Sequence, residues 1–244
     1  MNNERHPTIK IEDLVVQKAQ QIILNKVSLN VYPGQVIGIL GHNGSGKTTL
    51  MEAMLGFCDV TSGSVSLWGV DVDKLSATEK QKIAYVPQQD DFPANMSVKD
   101  SLTLYSSFYA HWDHDLAEQL LVGWDIDNNK KINQLSGGQK QKLSIVHALA
   151  ISPELIVLDE PVASLDPIAR SLFLQQLTKY VAVKQRALII SSHIVADLEG
   201  FINTLWLLKD GKVQWQGPVE KVAQAFGLPD TASLEQVYRK AMQA

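Results

Sequence analysis

Three short runs of the chain are almost entirely apolar, which is the pattern of strands buried on both faces of a parallel sheet. They are Val36 to Leu40, Leu155 to Asp159 and Ala187 to Ser191. Helical patterns lie between them, one from Thr48 to Leu55 and another from Gln139 to Ile151. Strands that alternate with helices predict an α/β fold around a central parallel sheet.

Two other parts of the chain carry a different pattern. Residues 8–34 and 60–73 alternate apolar and polar positions or contain short β-prone pieces, as antiparallel strands do. Residues 89–150 contain no convincing strand and predict a lobe of helices. Ser76 and Glu79 have the spacing of a capping box, which marks a helix start. An antiparallel layer and a helical lobe are therefore expected beside the parallel core.

Length and composition fit one domain built from these parts. The chain has 244 residues, 45% of them hydrophobic and 20% charged, which excludes disorder and low complexity. It shows no internal repeat and no long linker. We expect one domain over residues 1–244, with a core and β layer at about 1–88 and 151–230, a helical subdomain at about 89–150, and a C-terminal helix at about 231–244.

Charge and cysteine content exclude several classes of protein. The formal net charge is -4, so there is no cationic field to favour nucleic acid as a partner. Cys58 is the only cysteine, which rules out an intrachain disulfide and a cysteine-rich metal site. The apolar runs are far shorter than the roughly 18 residues of a membrane span, and the polar start is unlike a signal peptide. We therefore expect a cytoplasmic protein.

A phosphate-binding turn follows the first apolar run. Residues 41–48 read G-H-N-G-S-G-K-T and match G-x-x-x-x-G-K-[ST] between a strand and a helix. The glycines let backbone N–H groups point at phosphate oxygens, and the helix N-terminus adds partial positive charge. Lys47 is predicted to neutralise the terminal phosphates and Thr48 to bind Mg²⁺. The predicted nucleotide-binding residues of this turn are Gly41, His42, Asn43, Gly44, Ser45, Gly46, Lys47, Thr48 and Thr49.

Two adjacent acids follow the second apolar run. Asp159 and Glu160 lie where the carboxyl ends of parallel strands face a ligand crevice. An apolar strand seldom ends in two acids without a cation nearby. We expect Asp159 to hold Mg²⁺ and Glu160 to polarise a water that attacks the γ-phosphorus. The predicted fold is thus an α/β P-loop NTPase (RecA-like) core with an antiparallel β layer and a helical subdomain.

One further segment makes the prediction more specific. Residues 135–139, L-S-G-G-Q, are similar to the signature sequence of the ATP-binding cassette (ABC) family, and they precede the acidic strand at that family's usual distance. The resemblance extends from about residue 8 to 217. It implies that a second anion site closes on the γ-phosphate held by the phosphate turn of another copy. The residues of that second site are Ser136, Gly137, Gly138 and Gln139.

More site residues carry over from the resemblance. Gln88 resembles the Q-loop glutamine that reaches Mg²⁺ and the attacking water, with Gln89 as the neighbouring alternative. His193 resembles the switch histidine that contacts the γ-phosphate. The segment S-L-D that ends at Asp166 looks like the D-loop, which meets its counterpart across the dimer. Lys18 stands where the family usually has an aromatic residue against adenine, so the contact with the base stays open.

The resemblance also implies a function and its partners. It implies an ATP-hydrolysing subunit that dimerises around two Mg-ATP, with itself or a homologous subunit, and drives a separate permease at the inner face of the membrane. A weaker likeness at 109–113 and near the C-terminus is to exporters of drugs and peptide antibiotics, so export is expected. The alternative is a soluble ABC ATPase, for example in iron-sulfur cluster assembly. Glu160 argues against a regulator without turnover.

An aromatic stripe in the predicted helical lobe has two interpretations. Its apolar residues recur at spacings of three and four, as on one face of a helix. They either pack inside the lobe or line a groove beside Gln88 that receives a helix of a membrane subunit. The residues are Leu102, Tyr105, Phe108, Tyr109 and Trp112.

Overall fold

The fold contains two β-sheets and a set of helices. The structure is a computed structural model that describes residues 6–88, 92–93, 95–163, 165, 167–182 and 186–243. The strands are, in chain order, β1 (Ile9–Lys18), β2 (Gln21–Val31), β3 (Val36–Leu40), β4 (Ser62–Leu67), β5 (Val70–Asp71), β6 (Ile83–Val86), β7 (Leu155–Leu158), β8 (Ala187–Ser192), β9 (Thr204–Lys209) and β10 (Lys212–Pro218).

The helices connect and cover these sheets. They are α1 (Lys47–Met54), α2 (Ala77–Lys80), α3 (Val98–Ser106), α4 (His114–Gly123), α5 (Gly137–Ala150), α6 (Pro167–Ala182), α7 (Val219–Ala225) and α8 (Leu234–Gln243). Helix α8 lies within the C-terminal segment for which the sequence predicts a helix. Within the described ranges, no helix is long and apolar enough to span a bilayer.

The central sheet has the strand order β10-β9-β3-β8-β7-β6. Strands β9, β3, β8, β7 and β6 run parallel, and β10 is an antiparallel edge strand with a register shift between Val213 and Trp215. The three apolar runs of the sequence form β3, β7 and β8, and every residue of β7 and β8 is buried. The predicted parallel sheet is confirmed, although β7 ends at Leu158 and β8 continues to Ser192.

The second sheet is antiparallel, with the order β2-β1-β4-β5. It is formed by the two regions whose alternating pattern predicts such a layer. A hydrophobic cluster fills the space between this sheet, α1 and one face of the central sheet, and Leu50 and Met51 of α1 are fully buried in it. Helix α1, which directly follows the phosphate turn, is therefore packed between the two sheets.

Helix α5 begins two residues before its predicted start at Gln139. The Gln139 N–H donates to Ser136 Oγ (3.2 Å), and the Ser136 N–H donates to Gln139 Oε1 (3.1 Å). These reciprocal bonds form a capping box, which makes Ser136 the N-cap and adds Gly137 to the helix. The capping box predicted at Ser76 is confirmed by bonds of the same kind with Glu79.

The prediction of one helix carrying the aromatic stripe is wrong. Helix α3 ends at Ser106, where the hydroxyls of Ser106 and Ser107 donate to carbonyls of the last turn, at 2.9 and 2.6 Å. Serine hydroxyls compete with backbone N–H groups for these carbonyls, which favours ending the helix there. Tyr109 and Trp112 therefore lie beyond α3, in the segment that leads to α4.

Candidate functional site

The phosphate turn connects β3 to α1 and has a backbone that only glycine adopts readily. Gly46 has a φ of 102°, and a Cβ on it would lie 2.9 Å from Leu24 Cδ2. The first N–H groups of a helix have no intrahelical partner, and among the described residues no side chain caps those of α1. The Ser45 hydroxyl is fully buried without a hydrogen-bond partner among the described residues. These unsatisfied donors fit a bound phosphate.

Lys47 places a buried ammonium group within this turn. Its side chain is 6% exposed, and Nζ donates to the carbonyls of Gly41 (2.8 Å) and His42 (3.3 Å). Nζ also lies 3.5 Å from Glu160 Oε1. The turn thus carries a desolvated positive charge beside its uncapped helix end, where an anionic group gains most from it.

The two acids after β7 are joined to the turn and to β8 by hydrogen bonds. Thr48 Oγ1 donates to Asp159 Oδ2 at 2.6 Å. Ser191 Oγ donates to Asp159 Oδ1 at 2.6 Å and accepts from the Glu160 N–H at 2.8 Å. Asp159 is fully buried, and these hydrogen bonds hold both of its carboxylate oxygens in fixed directions.

Glu160 has an unusual backbone and two charged neighbours. Its φ of 50° is in the left-handed region, which non-glycine residues adopt mainly where the surroundings enforce it. Its carboxylate contacts His193 Nδ1 on one side and approaches Lys47 on the other. The side chain of His193 is 45% exposed, so this histidine lies at the open side of the site.

Gln88 lies at the same edge of the central sheet. It follows β6 by two residues and is exposed, and β6 pairs with β7. The Asp159 N–H donates to the carbonyl of Val86 at 2.9 Å, which places the ends of the two strands side by side. The predicted magnesium and water contacts of Gln88 are compatible with this position.

Three other residues of the turn for which nucleotide contacts are predicted differ in their surroundings. His42 is partly exposed, with Nε2 3.3 Å from Asp210 Oδ1, and its ring nitrogen Nδ1 contacts the carbonyl of Asn43 at 2.8 Å. Gly44 has a φ of 83° and open space around it. Thr49 is buried within α1.

In the described part of the chain, the signature residues bond to one another and to Asp125 rather than to this cluster. Ser136 and Gly137 are exposed at the start of α5, and Gln139 bonds to Ser136 and to the carbonyl of Asp125 at 3.3 Å. Because the Ser136 N–H already donates to Gln139, the free N–H groups of this helix start belong to the following residues, Gly137 and Gly138. Asp166 and the alternative glutamine Gln89 lie outside the described residues.

The oxygen ligands present suit a magnesium ion. The Thr48 hydroxyl and the Asp159 carboxylate are adjacent, and both are hard oxygen donors of the kind that Mg²⁺ prefers. No group of three or more His, Cys, Asp or Glu side chains gathers as a metal cluster in the described part of the chain.

Ser191 is a site residue that the sequence patterns do not single out. It is the hydroxyl that holds both Asp159 and the backbone of Glu160. The only signal in the sequence is that β8, otherwise apolar, ends in two serines at the edge where the acids lie.

A groove in the helical lobe lies next to the Gln88 edge. Its cavity of about 300 Å³ is lined by Tyr85, Phe92, Tyr105 and Tyr109, by His147 of α5 and by smaller, mostly apolar residues. The His147 ring stacks on Tyr105, with centroids 4.2 Å apart. Burial lowers the pKa of His147 to about 3, so the imidazole is neutral at physiological pH. The groove is therefore aromatic and carries no charge from this histidine.

The hydrogen bonds around His147 define its tautomer. Ser101 Oγ uses its one proton to bond the carbonyl of Val98 at 2.7 Å. The contact of 3.4 Å between Ser101 Oγ and His147 Nε2 therefore needs the proton on Nε2. His147 Nδ1 is then a bare acceptor, buried without a hydrogen-bond partner among the described residues.

Comparison with known proteins gives a consistent assignment. The ABC transporter family profile matches residues 24–163. The chain is 30% identical over 197 residues to the Nod factor export ATP-binding protein I of Burkholderia thailandensis, covering 79% of this chain and 64% of that protein. It is 28% identical over 214 residues to the bacitracin transport ATP-binding protein BcrA of Bacillus licheniformis, covering 87% and 70%.

A solved structure described as the ATP binding subunit of an ABC transporter superposes with a TM-score of 0.87 at 26% identity, covering 96% of this chain and 99% of that one. The chain therefore belongs to the ABC transporter family, and its resemblance to the ATP-binding subunits of that family is confirmed. The two curated relatives are longer, since this chain matches only 64% and 70% of their lengths.

Proposed function

We propose that the protein binds and hydrolyses ATP at the edge of the central sheet. The observation that carries this proposal is the network that joins Lys47, Thr48, Asp159 and Glu160 to one another within hydrogen-bond or ion-pair distance. Such a network of phosphate-binding, metal-binding and acid/base groups is what phosphoryl transfer to water requires.

The roles of the residues follow from their positions. The phosphate turn and Lys47 hold the phosphates, while Thr48, Asp159 and Gln88 hold Mg²⁺, which neutralises phosphate charge. The phosphates draw Lys47 away from Glu160, because an ammonium gains more from a multiply charged phosphate than from one carboxylate. The freed Glu160 accepts the proton of the attacking water, and His193 contacts the γ-phosphate.

The site is completed by a second copy of the chain or by a homologous subunit. The exposed start of α5 offers the N–H groups of Gly137 and Gly138 to a γ-phosphate held elsewhere. Two subunits would then enclose two Mg-ATP, with Ser136 and Gln139 shaping each helix start and Asp166 near the dimer contact. Among the described residues, Ser136 and Gln139 bond to each other and to Asp125 rather than to the cluster around Asp159, which supports this arrangement.

The energy of hydrolysis drives a separate membrane permease. Relatives with 30% and 28% identity are named for Nod factor export and bacitracin transport, which supports an exporter. The aromatic groove beside Gln88 suits a short helix of the permease, because aromatic residues are enriched at interfaces. The protein would then lie on the cytoplasmic face of the membrane, held there by its permease.

Two measurements test these proposals. Purified protein should hydrolyse ATP with Mg²⁺, and Lys47→Ala should weaken ATP binding by about 10- to 100-fold, since a desolvated charge pair is lost. Lys74→Ala, at a lysine that is 78% exposed, is the matched control. Equal ATP affinity in both variants would contradict the phosphate site. Recovery from membranes with a polytopic protein is expected, whereas recovery only with soluble assembly proteins would favour the non-transport alternative.

A further inference from the structure

A second cleft opens at the opposite edge of the central sheet. It has a volume of about 560 Å³ and is lined by Trp68, Ser152, Glu154 and Arg186, among others. Glu154 directly precedes β7 and Arg186 directly precedes β8. The cleft therefore lies at the amino ends of the parallel strands, whereas the phosphate turn lies at their carboxyl ends. Its size falls within the range of small-molecule sites.

Arg186 is a buried charge without an acidic partner in the described part of the chain. The residue is 6% exposed, its Nη1 donates to the carbonyl of Tyr180 at 3.2 Å, and its guanidinium lies 3.6 Å from the centre of the Tyr180 ring. Its other N–H groups make no hydrogen bond to any described residue, and Arg186 lines the cleft. A buried charge without a counter-ion is costly, and an anion in the cleft would offset that cost.

The other walls of the cleft restrict the kind of anion. The guanidinium fork matches the two oxygens of a carboxylate or phosphate. Glu154 adds a negative charge, only partly offset by Lys82 at 3.2 Å, and this charge disfavours a dianion. The indole of Trp68 offers a flat aromatic surface in the same cleft, with Lys82 Nζ 5.5 Å from the centre of its ring. A small molecule that carries one negative charge on a flat apolar ring is compatible with Arg186, Glu154 and Trp68 together.

We propose that this cleft binds a small aromatic monocarboxylate, with its carboxylate on the Arg186 fork and its ring against Trp68. This site is separate from ATP hydrolysis and goes beyond the function proposed above. Both β7 and β8 run from this cleft to the nucleotide site, where they end next to Asp159 and Ser191. The two sites are therefore joined by the same two strands.

Benzoate titration of the full chain, labelled with ¹⁵N at its five tryptophans, tests the proposal. The indole signal of Trp68, identified by its loss in Trp68→Phe, should shift saturably with benzoate while the signals of distant tryptophans stay fixed. Benzamide, which has the same shape without the charge, should bind at least about 10-fold more weakly, because a charge-assisted pair is lost.

Two variants separate recognition from folding. Arg186→Lys keeps the charge but loses the fork, and should weaken benzoate binding about 10-fold. Glu154→Gln removes a repelling charge and should strengthen it about 3-fold, so it remains informative if Arg186→Lys does not fold. The proposal is overturned if benzoate gives no saturable shift of Trp68, if benzamide or inorganic phosphate binds as well as benzoate, or if neither folded variant changes the affinity.

Discussion

The two helix starts that belong to the proposed ATP site, those of α1 and α5, differ in whether side chains of the protein already accept hydrogen bonds from their N–H groups. Among the described residues no side chain caps helix α1, and the buried ammonium of Lys47 lies within the turn that precedes it. The start of helix α5 is capped by Ser136 and Gln139, and Ser136 and Gly137 are exposed there. In the proposed function, the first start holds the nucleotide within the chain and the second faces the nucleotide of another copy.

The glycines of the two starts differ in the same way. Gly46 adopts a left-handed backbone and leaves no room for a Cβ. Gly137 has nothing within 4 Å of the position that a Cβ would take. A side chain is therefore excluded at Gly46 by the fold itself, whereas at Gly137 only an external partner could exclude it.

Glu160→Gln should have the largest effect, because it removes the base while it keeps the shape of the enclosed site. We expect ATP hydrolysis to fall by about 10²- to 10⁴-fold, the usual contribution of a general base. ATP binding, followed by calorimetry, should be retained, and the variant should accumulate as an ATP-dependent dimer in size-exclusion chromatography. Glu118→Gln, at an exposed acid of α4, is the control. Turnover at the normal rate would exclude the proposed role of Glu160.

Gly137→Glu tests the exposed start directly. The new side chain has room in the single chain, so the melting temperature and the ATP affinity should stay unchanged. Its charge should repel a γ-phosphate and lower hydrolysis by about 100-fold, equivalent to roughly 3 kcal/mol. Gly123→Glu is a matched control, because Gly123 also has open space around it. If both variants hydrolyse ATP at the same rate, the start of α5 has no part in the reaction.

Ser191→Ala should have a smaller effect on the enclosed site. It leaves one oxygen of Asp159 and the N–H of Glu160 without their partner, which costs about 1 to 3 kcal/mol of unfolding free energy. We expect kcat to fall about 10-fold with little change in KM, because Glu160 is misdirected and the phosphate contacts remain. Ser191→Thr should recover part of kcat. A loss of stability at unchanged kcat would show that Ser191 only supports the fold.

Lowering the pH should have the smallest effect. It should reduce the stability of the helical lobe that contains α5. The pKa of His147 is about 3 in the folded protein and about 6.5 when unfolded. Between these values the unfolded chain binds more protons, so stability is lost as pH falls, by at most about 1.4 kcal/mol per pH unit.

Hydrogen exchange measures this effect of acid by region. At pH 5.5 compared with pH 7.5, after correction for intrinsic rates, α5 should lose more protection than β3. His147→Phe should reduce that difference, and His114→Gln should leave it unchanged. Equal losses in wild type and His147→Phe would show that another group is responsible.

Local patterns predicted much of this molecule correctly, and their failures have physical causes. The strands β3, β7 and β8 are apolar on both faces, so their assignment needed no tertiary information. The end of α3 depended on two serine hydroxyls that bond to carbonyls, which apolar spacing does not reveal.

Contacts between side chains on neighbouring strands could not be predicted from the sequence alone. Ser191 is 32 residues from Asp159 in the chain, and only the pairing of β7 with β8 brings its hydroxyl to the acids. The sequence likewise did not predict a role for Arg186, because only the folded structure brings it into the same cleft as Trp68.

The two edge strands of the central sheet, β10 and β6, also affect how readily the chain aggregates. Strand β10 is interrupted by a register shift, begins with Lys212 and ends in Pro218, and the opposite border, β6, has only four residues. Irregular, charged or very short borders are poor templates for pairing with a neighbouring polypeptide. A freshly made chain is therefore protected against aggregation through pairing at the edges of its central sheet.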